Sequence, residues 1–149
     1  MRAVYKWWAT WVFVAIVVQV GLAGYGAFYV AGKTDNSGVA NSDTFDSGYG
    51  AHVVWGYLGV GLSIVILVVI GLIGGIGRWR LGRQGILLLL FVLQVVLAGG
   101  GYATPYVGFF HPVNALLMFA LAGSIVYTTW HEARSTAPAP APQPSVSAT

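Results

Sequence analysis

Gln19-Val20-Gly21-Leu22-Ala23-Gly24 returns later in the chain as Gln94-Val95-Val96-Leu97-Ala98-Gly99. Each copy closes a long apolar run. Each is followed, after a polar break, by a histidine that opens the next apolar run, His52 in the first case and His111 in the second. Those next runs also correspond, with His52, Val54, Gly56 and Leu58 at the same offsets as His111, Val113, Ala115 and Leu117. The pattern reads as one helical hairpin present twice, each copy presenting a histidine at the same depth.

Working outward, the composition decides the solvent. Hydrophobic residues make up 57% of the 149 positions and charged residues only 7%, whereas a soluble domain carries about 25% charged residues. With several apolar runs of spanning length, the chain reads as an integral membrane protein. Its formal charge of +3 comes from basic residues at the ends of runs, so it is no nucleic-acid footprint. The absence of cysteine excludes disulfides, thiolate ligands and thioether attachment of a haem.

Four spans are expected, over residues 7–30, 51–76, 85–103 and 111–130, within one bundle covering residues 1–131. About 20 apolar residues cross a hydrocarbon core. A cleaved leader also begins basic, turns apolar and exits through small residues. The counterpart around Gln94, however, lies deep in the chain, so the first run is expected to be a permanent helix. Residues 32–50 are rich in Asp, Asn, Ser and Gly and read as loop. Asp35, Asp43 and Asp46 lie there at spacings that fit no EF-hand. Residues 104–110 read as a short link, with Pro112 in the first turn of the fourth helix, where its missing N–H has no intrahelical partner to lose. Residues 132–149 alternate Ala and Pro with Ser and Thr and read as a disordered, extended tail.

Alternation of four helices puts Arg2, Lys6, Arg78, Arg80, Arg83 and Arg134 on one side and Lys33 alone on the other. The positive-inside rule then places both termini and the tail in the cytoplasm, across the plasma membrane. Trp7, Trp8, Trp11, Trp79 and Trp130 are expected at the cytoplasmic interface, and Trp55, Tyr49 and Tyr106 at the outer one.

His52 and His111 are expected in the first turn or so of the second and fourth helices, near the outer face. In an up-down bundle these helices are parallel and diagonally opposed. With neighbours about 8–10 Å apart the diagonal is roughly 11–14 Å, the order of separation that two imidazoles sharing one iron require. Imidazole is an established axial ligand of haem. The matched small residues Gly24, Gly56, Gly99 and Ala115 would leave room for the flat ring. The expectation is one haem b, with His52 and His111 as the metal ligands. A zinc or copper site is an alternative, and so is a plain structural role for hydrated interface histidines. His131 has no counterpart and reads as structural. Gln19 and Gln94 read as interhelical hydrogen-bond partners, typically worth about 1 kcal/mol in membranes, ahead of support for the pocket, because each lies more than a turn inward of its neighbouring glycine.

A helix carrying glutamine and glycine, followed by one opening on histidine, resembles one four-helix half of haem A synthase. The His111-Pro112-Val113-Asn114-Ala115 stretch is similar to one in small four-helix membrane proteins of actinobacteria. The resemblance covers the four spans and implies haem ligation by the paired histidines. Haem A synthase also has a glutamate just before a ligand histidine and, in many members, a pair of loop cysteines. Here Glu132 is the only glutamate and falls at the opposite end of the bundle. The resemblance therefore implies the cofactor-holding half without the catalytic equipment, and no stand-alone enzyme.

The functional expectation is a small cytochrome b-like membrane protein for electron transfer or haem holding. The expected partners are the lipid bilayer, a respiratory-chain or other redox partner in the membrane, and a second copy of the chain. The rival from another class is a cofactor-free accessory or scaffold subunit of a larger complex. A transporter lacks its usual mark, charged groups near the midplane.

Overall fold

A computed structural model describes residues 1–135 of the chain, without the side chains of 35–37 and 132–135. Every described element is helical: α1 (Arg2–Ser37), α2 (Ser42–Gly74), α3 (Arg78–Ala103) and α4 (Pro105–Ser135). All four are long and apolar enough to cross a membrane. Large apolar side chains such as Phe28, Leu58, Leu89 and Leu116 are exposed, an exterior of the kind that a bilayer solvates and water does not. The tail expected over 132–149 lies outside the described residues beyond Ser135, and α4 continues through its first four positions.

The links are shorter than the composition suggested. Between α1 and α2 only residues 38–41 are non-helical, because Asn41 caps α2 by accepting the Thr44 N–H at 2.9 Å and Asp43 sits in the first turn, where negative charge complements the helix dipole. Thr104 alone separates α3 from α4. Pro105, not Pro112, opens α4, and Pro112 lies inside it. That tight turn needs glycine, since a Cβ on Gly101 would sit 3.0 Å from the Gly108 Cα. Between α2 and α3 the chain reverses over Gly75, Ile76 and Gly77, with φ of 58° and 90° at the two glycines, the left-handed region that side chains with a Cβ disfavour.

Links this short make sequence neighbours antiparallel. α1 packs on α2 and α4, and α3 packs on the same two, so α2 and α4 stand diagonally, as expected. The buried core occupies one half of the bundle. Tyr5, Ala9, Val12 and Ile16 of α1 meet Ile64 and Leu67 of α2, Leu87 of α3 and Met118, Ala122 and Ile125 of α4. The half holding the C-terminal part of α1 and the N-terminal part of α2 is less filled, and the histidines lie there.

Candidate functional site

Both histidines lie further along their helices than the sequence suggested. His52 lies ten residues past Ser42 and His111 six past Pro105, roughly 15 and 9 Å along helices that rise about 1.5 Å per residue. Neither is in a first turn. The physical reason is that Asn41 caps the one helix and Pro105 opens the other, so each starts more than a turn before its histidine.

The two imidazoles face each other across the diagonal, ring centroids 6.4 Å apart and planes inclined at 59°. Each is fixed from behind in the same way. The Nδ1 of His52 lies 3.2 Å from the Gln19 carbonyl oxygen, and the Nδ1 of His111 lies 3.1 Å from the Gln94 carbonyl oxygen. A carbonyl can only accept, so each Nδ1 carries the proton and donates it. In a neutral ring that leaves the lone pair on Nε2, the form of imidazole that binds metals.

One turn further on, the correspondence continues with different side chains. Trp55 donates its indole N–H to the Ala15 carbonyl at 3.0 Å, and Asn114 donates its amide to the Leu90 carbonyl at 2.9 Å. Trp55 and Asn114 each follow a histidine by three residues, and Ala15 and Leu90 each precede a glutamine by four. Two hydrogen bonds therefore tie each histidine helix to its partner at equivalent places. Trp55 was expected at the outer interface. It packs instead against the core, edge-on to Trp11 at 6.2 Å, in space that Gly59 leaves for its ring.

Between the imidazoles lies a cavity of about 370 Å³ whose walls include Gln19, His52, Phe91, Gln94, Gly99 and His111. That size falls at the lower end of small-molecule and cofactor sites, roughly 300–1,000 Å³. Of the small residues, Gly56, Gly99 and Ala115 line it. Gly99 faces open space, with nothing within 4 Å of the place a Cβ would take. Gly56 does something else, because a Cβ there would lie 2.9 Å from the Gln19 Nε2, so this glycine makes room for an amide. Gly24 is not among the lining residues, and its Cβ position is also empty of neighbours. It shares the sequence pattern of Gly99 without sharing its place.

The glutamines belong to the site. The Gln19 amide nitrogen lies 3.2 Å from the His52 Nε2 and donates to the His52 carbonyl at 3.0 Å. The Gln94 Oε1 accepts from the Asn114 amide at 2.6 Å. The depth reasoning that set glutamine apart from histidine fails because the histidines lie further along their helices than supposed. Asn114, 4% exposed, had no role assigned from the sequence, although its place in the His111–Ala115 stretch was a usable signal. Its Oδ1 and the Oε1 of Gln19 are buried without a hydrogen-bond partner. Tyr49 stands edge-on to His52 at 6.1 Å.

Among the described residues no three His, Asp or Glu side chains gather into a metal-ion site. Two opposed imidazoles are what the bundle presents, a donor set that fits a metal carrying its own equatorial ligands better than a bare ion needing four from the protein. No protein family, curated protein or solved structure matches the chain, so what the site does has to be read from these atoms.

Proposed function

We propose that the chain is a small membrane cytochrome b-like protein that holds one haem b between His52 and His111. The observation that carries this reading is the opposed pair of imidazoles with both Nδ1 protons given to backbone carbonyls and both Nε2 lone pairs directed away from them. Imidazole binds a metal at about 2 Å and its centroid lies about 1.1 Å behind the nitrogen, so two rings sharing one iron stand roughly 6 Å apart. The separation of 6.4 Å agrees.

Bound haem would supply a one-electron couple at the iron. The chain's own residues orient the ligands through the Gln19 and Gln94 carbonyls, exclude water with apolar walls such as Phe91 and Met118, and leave room at Gly99 and Ala115. The matched interhelical bonds at His52, Trp55, His111 and Asn114 support the origin of the bundle as one hairpin repeated. The basic residues at the starts of α1 and α3 support cytoplasmic termini, in the plasma membrane, with the haem towards the outer face. One haem in one half of the bundle suits electron transfer at that face, or haem holding for a respiratory-chain or other redox partner in the membrane.

The test is the absorption spectrum of detergent-purified protein, oxidised and then reduced with dithionite. Sharp reduced α and β bands at near one haem per chain are expected. His52→Ala and His111→Ala should each abolish the low-spin form. A colourless protein from cells with ample haem, or low-spin bands surviving in both variants, would overturn the assignment and favour the cofactor-free accessory subunit.

A further inference from the structure

The two histidines match in position but not in freedom. The Nε2 of His111 makes no hydrogen bond, whereas that of His52 accepts from the Gln19 amide at 3.2 Å. The cause is one sequence difference. Three residues after His111 stands Asn114, whose amide holds the Gln94 side chain by its Oε1 at 2.6 Å and keeps it off the imidazole. Three residues after His52 stands Trp55, whose indole N–H is spent on the Ala15 carbonyl and offers Gln19 nothing. The Gln19 amide therefore turns to His52, into space that only a glycine at position 56 leaves open.

Resting on the haem reading, we infer that ligation is unequal: His111 is the permanent ligand, and His52 is a displaceable one for which Gln19 competes. The lone pair that accepts from the Gln19 amide is the one an iron would need. Releasing it costs a hydrogen bond, and giving it back recovers one. The Gln19 Oε1 has no partner to lose as the amide swings. The helix around His52 also departs from regular α-geometry beside the site. A π-helical stretch, Trp55–Gly61, follows it directly, a form rare in proteins and frequent at functional sites, while α4 continues as α-helix past His111. If haem is bound, release of His52 to the Gln19 amide would leave room for a small neutral diatomic ligand of the carbon monoxide class. The site would then respond to such a ligand instead of serving solely as a closed electron carrier.

The experiment uses the full chain loaded with haem in detergent, reduced, with carbon monoxide as the probe. Wild type should form the adduct, limited by loss of His52. Gln19→Leu removes the competing donor, so His52 should hold on more firmly and the adduct should form about fivefold more slowly, the effect of one ordinary side-chain hydrogen bond. Gly56→Ala should act in the same direction, because its Cβ occupies the place of the Gln19 amide, and it keeps the test open if Gln19→Leu does not fold. His52→Ala should retain haem in a five-coordinate form, whereas His111→Ala should lose it. Equal haem loss in the two histidine variants, or adduct rates within twofold of wild type in both Gln19→Leu and Gly56→Ala, overturns the inference and leaves the haem reading standing. Absence of haem from wild type overturns both.

Discussion

Asn114→Leu removes a side chain that ties α4 to α3. Asn114 is 4% exposed, and its amide makes two bonds across the helix pair, to the Leu90 carbonyl at 2.9 Å and the Gln94 Oε1 at 2.6 Å. Interhelical side-chain bonds in membrane proteins average about 0.6 kcal/mol and reach about 1.7. The Leu90 carbonyl stays within its helix, but the Gln94 Oε1 loses its Asn114 donor, and an orphaned buried acceptor costs about 1–3 kcal/mol. The Asn114 Oδ1, already without a partner, offsets part of this when it is removed. The expected loss is therefore about 1–2 kcal/mol. It is to be measured as the shift in the unfolding midpoint when SDS is titrated into mixed micelles, with helical circular dichroism as the signal. Thr129→Val is the control. Thr129 is about as buried at 7%, but its hydroxyl bonds back to the Ile125 carbonyl of its own helix at 2.7 Å. Such a bond fastens no second helix, so the control should change stability by less than about 0.5 kcal/mol. Equal effects from the two substitutions would refute the claim that side-chain hydrogen bonds between helices, and not merely buried polarity, help hold α4 to α3.

The other predictions separate residues that the sequence treats alike. Gly99→Leu should leave stability within about 0.5 kcal/mol of wild type, because the Cβ meets nothing, yet abolish haem uptake by filling the cavity wall. Gly24→Leu, its sequence counterpart, should change neither uptake nor stability. Uptake is read from the reduced spectrum, and equal haem loss in the two variants would show that Gly24 also borders the cofactor. Gly101→Leu should destabilise the α3–α4 pair by about 1–3 kcal/mol, since its Cβ would press on the Gly108 backbone at 3.0 Å and backbone cannot rotate aside. The same SDS titration checks it, and a shift below about 0.5 kcal/mol would remove this close approach from the account.

The architecture was legible because its causes are coarse. Apolar runs of spanning length joined by short polar links leave few packings other than an antiparallel bundle. The diagonal relation of His52 and His111 followed from that order alone. Helix starts were less legible, although the signals were present. Asn41-Ser42-Asp43 is an N-cap followed by a first-turn carboxylate, and Pro105 suits a first helical position as well as Pro112 does. The polar stretch before His52 and the proline-containing aromatic stretch before His111 outweighed these signals, and the histidines were expected nearer the helix starts than they lie. That one displacement also separated the glutamines from the histidines and put Trp55 at the interface. Gly24 failed for another reason. The repeat fixes a residue's offset along its helix, and Gly24, at the same offset as Gly99, is not on the cavity wall.

The distribution of packing gives the site its chemical character. One half of the bundle is closed by large buried side chains, with Tyr5, Ile64, Leu67 and Leu87 among the least exposed. The other half holds the half-open cavity of about 370 Å³. Backbone carbonyls, which the helices position whether or not a ligand is present, aim both imidazoles across that space. Binding therefore need not spend its free energy on ordering the ligands, the general benefit of preorganisation. The exception is the Gln19 amide at His52, the one hydrogen bond at the imidazole nitrogens that ligand entry must break. A site built only for tight, permanent ligation would have an asparagine at position 55 to draw that amide away, as Asn114 does for Gln94. On the unequal-ligation reading, the tryptophan found there leaves the Gln19 amide able to compete at His52.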